Sequence, residues 1–315
     1  MAGAPGGPTF SNAPMPALAL VFNAFVWGVS WFPFRQIASH GLHPLWTTCL
    51  VYLVIAVAMG LARRHAWKGF AAFPMLVLLG LAAGFTNVGF NWAVTQGDVV
   101  RVVLLFYLMP LWSALLGWLL LGERPTGGTI GRVALALTGV VVVLKAPGTG
   151  WPVPSSLPDW LGLAAGFGFA VTNIVLRHLR AAPGESRALA MFCGCAFMAG
   201  VAALAGTALG AIDSPLQATP GWLGWALLLG TGFVVGNVCL QYGAARLAAS
   251  ATSVIMLSEV LFASASSVAL GAATMDARIV AGGALIVGGA VWSAFARTTP
   301  RVDDRATSST EGHAS

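Results

Sequence analysis

Charge is what this sequence has least of. Lysine, arginine, aspartate and glutamate make up 8% of its 315 residues, while 57% are hydrophobic; an ordinary soluble domain carries roughly 25% charged residues. That supply cannot cover a water-exposed surface, so a soluble globular protein is excluded. Carboxylates are scarcer still, with 10 acidic residues against 16 basic ones and only 5 histidines. Clusters for acid–base or metal chemistry therefore have little to draw on. His40 and His43 lie three apart in a short loop without a third ligand, so no metal site and no catalytic site is expected. Four cysteines, Cys49, Cys193, Cys195 and Cys239, all fall inside apolar stretches. Cys193 and Cys195 sit two apart on an expected helix and face different ways, which suits packing and not a metal pair. No ATP-binding motif occurs, and the glycines from Gly127 to Gly131 follow no strand, so no phosphate loop and no cofactor is expected.

What remains is a series of long apolar runs. Ten segments of roughly twenty residues can each span a bilayer; they lie near 17–36, 45–62, 73–95, 100–121, 128–145, 159–178, 188–211, 221–243, 248–271 and 278–296. The opening MAGAPGGPTFSNAPMP lacks the basic region of a secretory signal, so residues 1–16 read as a disordered tail before a retained helix. Residues 297–315 are polar and unpatterned and read as a second tail.

One stretch is written twice. Leu78 to Trp92, LLGLAAGFTNVGFNW, returns 150 residues later as LLGTGFVVGNVCLQY, Leu228 to Tyr242, with five identities, Asn87 recurring as Asn237, and Asn91 exchanged for Gln241. Shared glycine and leucine explain part of that likeness, but a paired amide and a paired ring in one register favour an internal repeat. With five spans per half, the second half enters the membrane from the opposite side. The expectation is an all-α polytopic membrane protein of ten transmembrane helices in two inverted five-helix repeats, 17–146 and 159–296, joined by a periplasmic linker, 147–158. Carriers that work by alternating access use this architecture, with the substrate site near the midplane.

The net charge of +6 reports topology. With the N-terminus inside, twelve basic residues fall on the cytoplasmic side, and Arg35, Arg101, Lys145 and Arg278 fall outside, as the positive-inside rule requires. No basic face interleaved with aromatics appears, so no nucleic-acid partner is expected.

WGVSW in the first segment, and LMPLWSALLGWLLLGERPTGGTIGRVALALTGVVVV across the fourth and fifth, resemble the EamA family of the drug/metabolite transporter superfamily. The resemblance covers roughly residues 17–296. It implies a bacterial inner-membrane, multi-pass exporter of amino acids or other small metabolites with both termini cytoplasmic. In the second half the chain departs from the pattern, with LGAA in place of LGE and Val260 in place of a proline.

Candidate substrate contacts follow from polar and aromatic groups at membrane depth, where an unsatisfied amide costs several kcal/mol. Asn87 and Asn91 share a face of the third helix; Asn237 and Gln241, followed by Tyr242, repeat it in the eighth. Interhelical hydrogen bonding beside close-packed glycines is the alternative reading. Asn23, Trp27 and Trp31, with Ser30 adjacent, line one side of the first helix, as a cavity wall or as packing. Thr172 and Asn173 hold the corresponding place in the sixth. Pro110, one turn after Tyr107, is expected to kink the fourth helix. Glu259 is the one acidic residue deep in a span, at a cost of roughly 3 kcal/mol on insertion scales; it is a candidate for cavity lining and proton coupling, or for a structural hydrogen bond. Glu123 follows Gly122 between two helices and reads as a hairpin device. The expected function is export of a small organic metabolite, amino acids leading, with the lipid bilayer as surroundings and a monomer or homodimer as the assembly. The alternatives are efflux of drugs or cationic compounds and, behind it, a membrane-embedded lipid-modifying enzyme, which would need clustered His, Asp or Glu at one interface.

Overall fold

An apolar chain in lipid can satisfy its peptide groups only within helices or closed barrels. Helices are the outcome here. A computed structural model describes residues 14–96, 99–144, 154–215, 219–271 and 277–295, and no strand occurs among them. The expected tails 1–16 and 297–315 and the linker 147–158 lie largely outside the described residues.

In chain order the helices are α1 (Pro14–Ser39), α2 (Pro44–Ala62), α3 (Lys68–Ala72), α4 (Met75–Gln96), α5 (Val99–Phe106), α6 (Met109–Leu121), α7 (Gly127–Leu144), α8 (Leu157–His178), α9 (Gly184–Ala208), α10 (Leu223–Ala244), α11 (Ala249–Met256), α12 (Glu259–Ala269) and α13 (Ala277–Phe295). Among the described residues, eight stretches are long and apolar enough to cross a membrane: α1, α2, α4, α5 with α6, α8, α9, α10, and α11 with α12. The fifth and tenth expected spans are shorter apolar helices, Gly127–Val143 and Val280–Phe295. At 1.5 Å per residue these apolar stretches cover about 25 Å of α7 and α13.

The fourth span is not one kinked helix. The chain leaves the helix after Phe106 and restarts at Met109. Pro110 then occupies the first turn of α6, where its missing N–H leaves nothing unpaired. The ninth span, expected to be continuous, is broken at the corresponding place between Met256 and Glu259, 150 residues later, with no proline to mark it. There Val260 donates its N–H to Leu257 O at 3.1 Å, a tighter turn than the α-helix makes.

Local chemistry sets the ends. His43 Nδ1 accepts the Leu45 N–H to cap α2. Ser156 and Asp159 form a reciprocal capping box at α8. Gly122 closes α6 in the left-handed region at φ 69°.

Packing pairs α4 with α8 and α9, α1 with α10, α2 with α9, and α7 with α13. Exchanging the halves turns the α1/α10 pair into α8/α4. Glycine permits the closest approaches: a Cβ on Gly139 would stand 2.5 Å from Gly282 O, and one on Gly282 would stand 2.6 Å from Gly139 O. Each helix break also rests on a glycine of the other half. Gly28 faces Glu259 O, and Gly166 faces Phe106 O.

Candidate functional site

Where the two halves meet, a cavity of about 90 Å³ lies among α1, α2, α4, α5, α6, α8, α9, α10, α11 and α12. The sequence placed its walls on the first, third, fourth, sixth, eighth and ninth spans. The structure adds the second and seventh, through Tyr52 on α2 and Met191, Phe192 and Cys195 on α9. The cause is backbone proximity: a Cβ at Gly80 would lie 2.5 Å from Ala190 O, and one at Gly84 would lie 2.4 Å from Gly194 O. Without side chains between them, α9 and α4 approach closely enough for α9 residues to reach the centre.

Six of the sequence-derived candidates line this cavity: Asn23, Trp27, Asn87, Asn91, Asn237 and Glu259. Thr172 joins them, along with a wall of rings from Tyr52, Phe90, Phe106, Phe169, Phe192 and Phe233. Seven other candidates are not among the lining residues. Ser30 donates to Trp27 O at 2.7 Å, within its own helix. Trp31 donates its indole N–H to Ser266 Oγ at 2.9 Å. Pro110 is buried in α6. Asn173 donates to Ser253 Oγ at 3.2 Å. Tyr242 carries the Arg246 guanidinium 3.9 Å above its ring. The remaining two stand one step behind the wall: Gln241 donates to Asn237 Oδ1 at 2.6 Å, and Tyr107 hydrogen-bonds the Glu259 side chain.

The lining amides are engaged in an unusual way. Asn23 Nδ2 points at Met256 Sδ at 3.3 Å, Asn237 Nδ2 at Met191 Sδ at 3.4 Å, and Asn87 Nδ2 at Cys195 Sγ at 3.4 Å. Sulfur is a weak acceptor. Such donors can be turned toward a ligand oxygen at little cost. Asn87 is steadied by Ala83 O at 3.0 Å and by the Tyr52 hydroxyl, which donates to Oδ1 at 3.4 Å. Asn91 is held by Thr48 Oγ1 at 3.0 Å.

Two aromatic groups face one another across this space. Trp27 and Tyr52 stack on Phe233 at centroid distances of 4.8 and 5.3 Å, and Tyr52 stacks on Phe192 at 5.8 Å. Phe106 meets Phe90 at 4.8 Å and Phe169 at 6.2 Å. Glu259 opens α12 directly after the break, where the positive end of a helix favours a carboxylate.

Sequence reasoning missed the rings. Phenylalanine is common on lipid-facing and cavity-facing sides alike, so Phe106, Phe169, Phe192 and Phe233 carried no signal. Tyr52 did carry one. It is one of only 3 tyrosines, and a hydroxyl at mid-span needs a partner.

Glu123 lies apart from the cavity, as a hairpin residue does. It pairs with Arg177 at 2.7 Å and accepts the backbone N–H of Ala249 at the start of α11. Burial raises its pKa above the usual carboxylate value, and Arg177 and the Ala249 N–H pull it back. Among the described residues, no group of three or more His, Cys, Asp or Glu could hold a metal ion.

The chain is similar to several known proteins. Residues 14–145 match the EamA-like transporter family. The match covers the first five expected spans. Among curated relatives, a protein of Streptantibioticus cattleyicolor named "Probable terminal-alkyne amino-acid exporter" is 28% identical over 254 residues, 76% of this chain and 80% of its own length. Protein RarD of Streptomyces exfoliatus is 31% identical over 140 residues, 43% of this chain and 42% of its own. A transporter of Vibrio cholerae, itself uncharacterised, is 29% identical over 168 residues. A crystal structure shares the fold at a TM-score of 0.73 and 21% identity, covering 88% of this chain and 95% of its own. The family match and the apolar helices long enough to span a bilayer indicate a multi-pass membrane protein of transporter type.

Proposed function

We propose that this protein is an alternating-access exporter of small zwitterionic metabolites, amino acids and related compounds first. Its frame is ten transmembrane helices in two inverted five-helix repeats, set in a bacterial inner membrane with both termini cytoplasmic. The observation that carries the reading is the cavity's mix of groups: one carboxylate, Glu259, together with the amide donors of Asn23 and Asn237, occupied only by sulfur, and of Asn87, shared between sulfur and Ala83 O, within aromatic walls. A substrate ammonium would meet Glu259 and ring faces. Its carboxylate would take the amide N–H groups of Asn23, Asn87 and Asn237. Asn91 and Trp27 would bound the site, with Gln241 and Tyr107 holding Asn237 and Glu259 in position. The repeat is supported by the helix breaks 150 residues apart and by the exchange-symmetric packing of α1/α10 and α8/α4. The relative named an amino-acid exporter supports the substrate class.

Glu259 would also bind the proton that drives export, releasing its grip on the ammonium as it protonates. A single carboxylate among rings is also what an organic cation requires, so efflux of cationic drugs is the second reading. Efflux of a labelled amino-acid panel from expressing cells, beside Glu259→Gln, tests the first. The reading expects selective export by the parent that loses its pH response in the variant. Export of organic cations alone would replace the substrate class, and an unchanged pH response would remove the proton from the cycle.

A further inference from the structure

A second feature lies on the outer side of the α2/α9 pair. A recess of about 700 Å³ lies there, separate from the central cavity and lined entirely by apolar side chains and two cysteines, Cys49 and Cys193. Its floor is made of small groups. Ala56 and Ala196 are buried, and a Cβ on Gly200 would come 3.2 Å from Cys49 Sγ. Its banks are large and exposed, with Leu61 65% and Phe197 63% accessible. The result is a trough open to the surroundings of the helix bundle.

The two ends of the trough differ. At the end of α2, Trp67 folds back over Gly60, donating its indole N–H to Gly60 O at 3.2 Å, and its ring fills the space where a side chain on Gly60 would stand. Tryptophan at this level marks the boundary between hydrocarbon and headgroups. Around it stand four basic side chains. Glu185 of α9 engages Arg63 at 3.5 Å and also His65. Arg64 and Lys68 are exposed. From Leu61 to Cys49 the trough runs about 18 Å along α2, a little more than half of a hydrocarbon core of about 30 Å. One leaflet is the length of one acyl chain. A transmembrane helix from a second copy would instead need a groove through the full thickness.

We propose that the α2/α9 trough is a binding site for an anionic phospholipid. One acyl chain lies along Ala56, Gly200 and Ala196, and the phosphate sits beside Trp67 between Arg64 and Lys68. Fixed cations at the headgroup level select lipids of negative charge, and hydrocarbon contact alone does not.

Native mass spectrometry of the full-length protein, extracted from mixed vesicles of phosphatidylglycerol and phosphatidylcholine, tests this site. Preferential retention of one phosphatidylglycerol is expected. Arg64→Gln and Lys68→Gln should each lower that retention about fivefold, with phosphatidylcholine unchanged. Gly200→Leu should fill the trough and lower retention of both lipids. Val201→Trp, on an exposed bank, serves the same end should the leucine disturb folding. Equal retention of the two lipids by the parent, or phosphatidylglycerol retention untouched by the charge and trough variants, would overturn the proposal. So would a protein dimer that dissociates on Gly200→Leu, because a second protomer would then be the occupant.

Discussion

Asn23 shows how a residue can matter to transport and little to stability. Its Nδ2 faces only the Met256 thioether, and its Oδ1 accepts no hydrogen bond. Asn23→Ala gives up one weak bond in the folded protein, but one charge-assisted bond to a substrate carboxylate, about 1.5–3 kcal/mol. The expected outcome is a rise in KM of about tenfold or more, with thermal stability within about 1 kcal/mol of the parent. Transport assays beside a melting curve separate the two. His43 is the reverse case. Its neutral Nδ1 caps α2, and burial holds its pKa below the ordinary 6.5, against the upward pull of Asp213. Because the folded-state pKa is depressed, the cap's contribution is complete above 6.5 and is lost as pH falls below that value through the lowered folded-state pKa. His43→Asn caps without titrating, so the melting temperature should depend less on pH in this variant. At this scale the sequence was legible where polarity is rare: Asn23, Asn87, Asn91, Asn237 and Glu259 were visible as polar groups in apolar runs. It was silent where chemistry repeats, since Phe233 in the cavity and Phe197 toward the outside are the same letter.

At the scale of the helix, the two breaks are the informative elements. Pro110 marked the first one in the sequence, although as a kink within one helix and not as the first turn of a second. The break before Glu259 had no mark, because Val260 is compatible with a continuous helix. Its cause is tertiary: Gly28 of α1 brings its own backbone against Glu259 O, where a Cβ would come within 2.6 Å. A proline in a helix interior costs about 3 kcal/mol or more, whereas one in a first turn costs little. Val260→Pro should therefore be tolerated within about 1 kcal/mol, losing only the bond to Leu257 O. A melting temperature lowered as far as a mid-helix proline lowers it would contradict a pre-existing break. The glycine contacts make the opposite prediction. A Cβ on Gly194 would stand 2.0 Å from Gly80 O, so Gly194→Val must push α9 away from α4. It should lower stability by about 1–3 kcal/mol and withdraw Cys195 and Met191 from the cavity, which thermal unfolding and a lower export rate would register.

Across the whole molecule, one polar tie joins elements from both halves. Glu123, after α6, pairs with Arg177 of α8 and accepts the N–H of Ala249 at the start of α11, while Arg177 donates to Leu247 O. Charge is only part of this arrangement. Exchanging the two residues, Glu123→Arg with Arg177→Glu, keeps the ion pair yet removes the acceptor for Ala249 and the donor for Leu247. The exchange should therefore fail to restore the stability lost in Arg177→Ala, where an ordinary surface pair would recover it. This partner was not legible in the sequence, since 54 positions separate the two residues and the packing of α6 against α8 brings them together.

On the proposed function, the cavity between the halves accepts a zwitterion, ammonium at Glu259 and carboxylate at the asparagine amides. Counterflow in proteoliposomes tests it most directly, with a preloaded labelled neutral amino acid competed by the same compound, its N-acetyl derivative and its methyl ester. Exchange with the free amino acid is expected, and little with either blocked form, each of which lacks one of the two charges. Equal competition by the methyl ester, which keeps only the positive charge, would contradict it and make the cavity a site for organic cations.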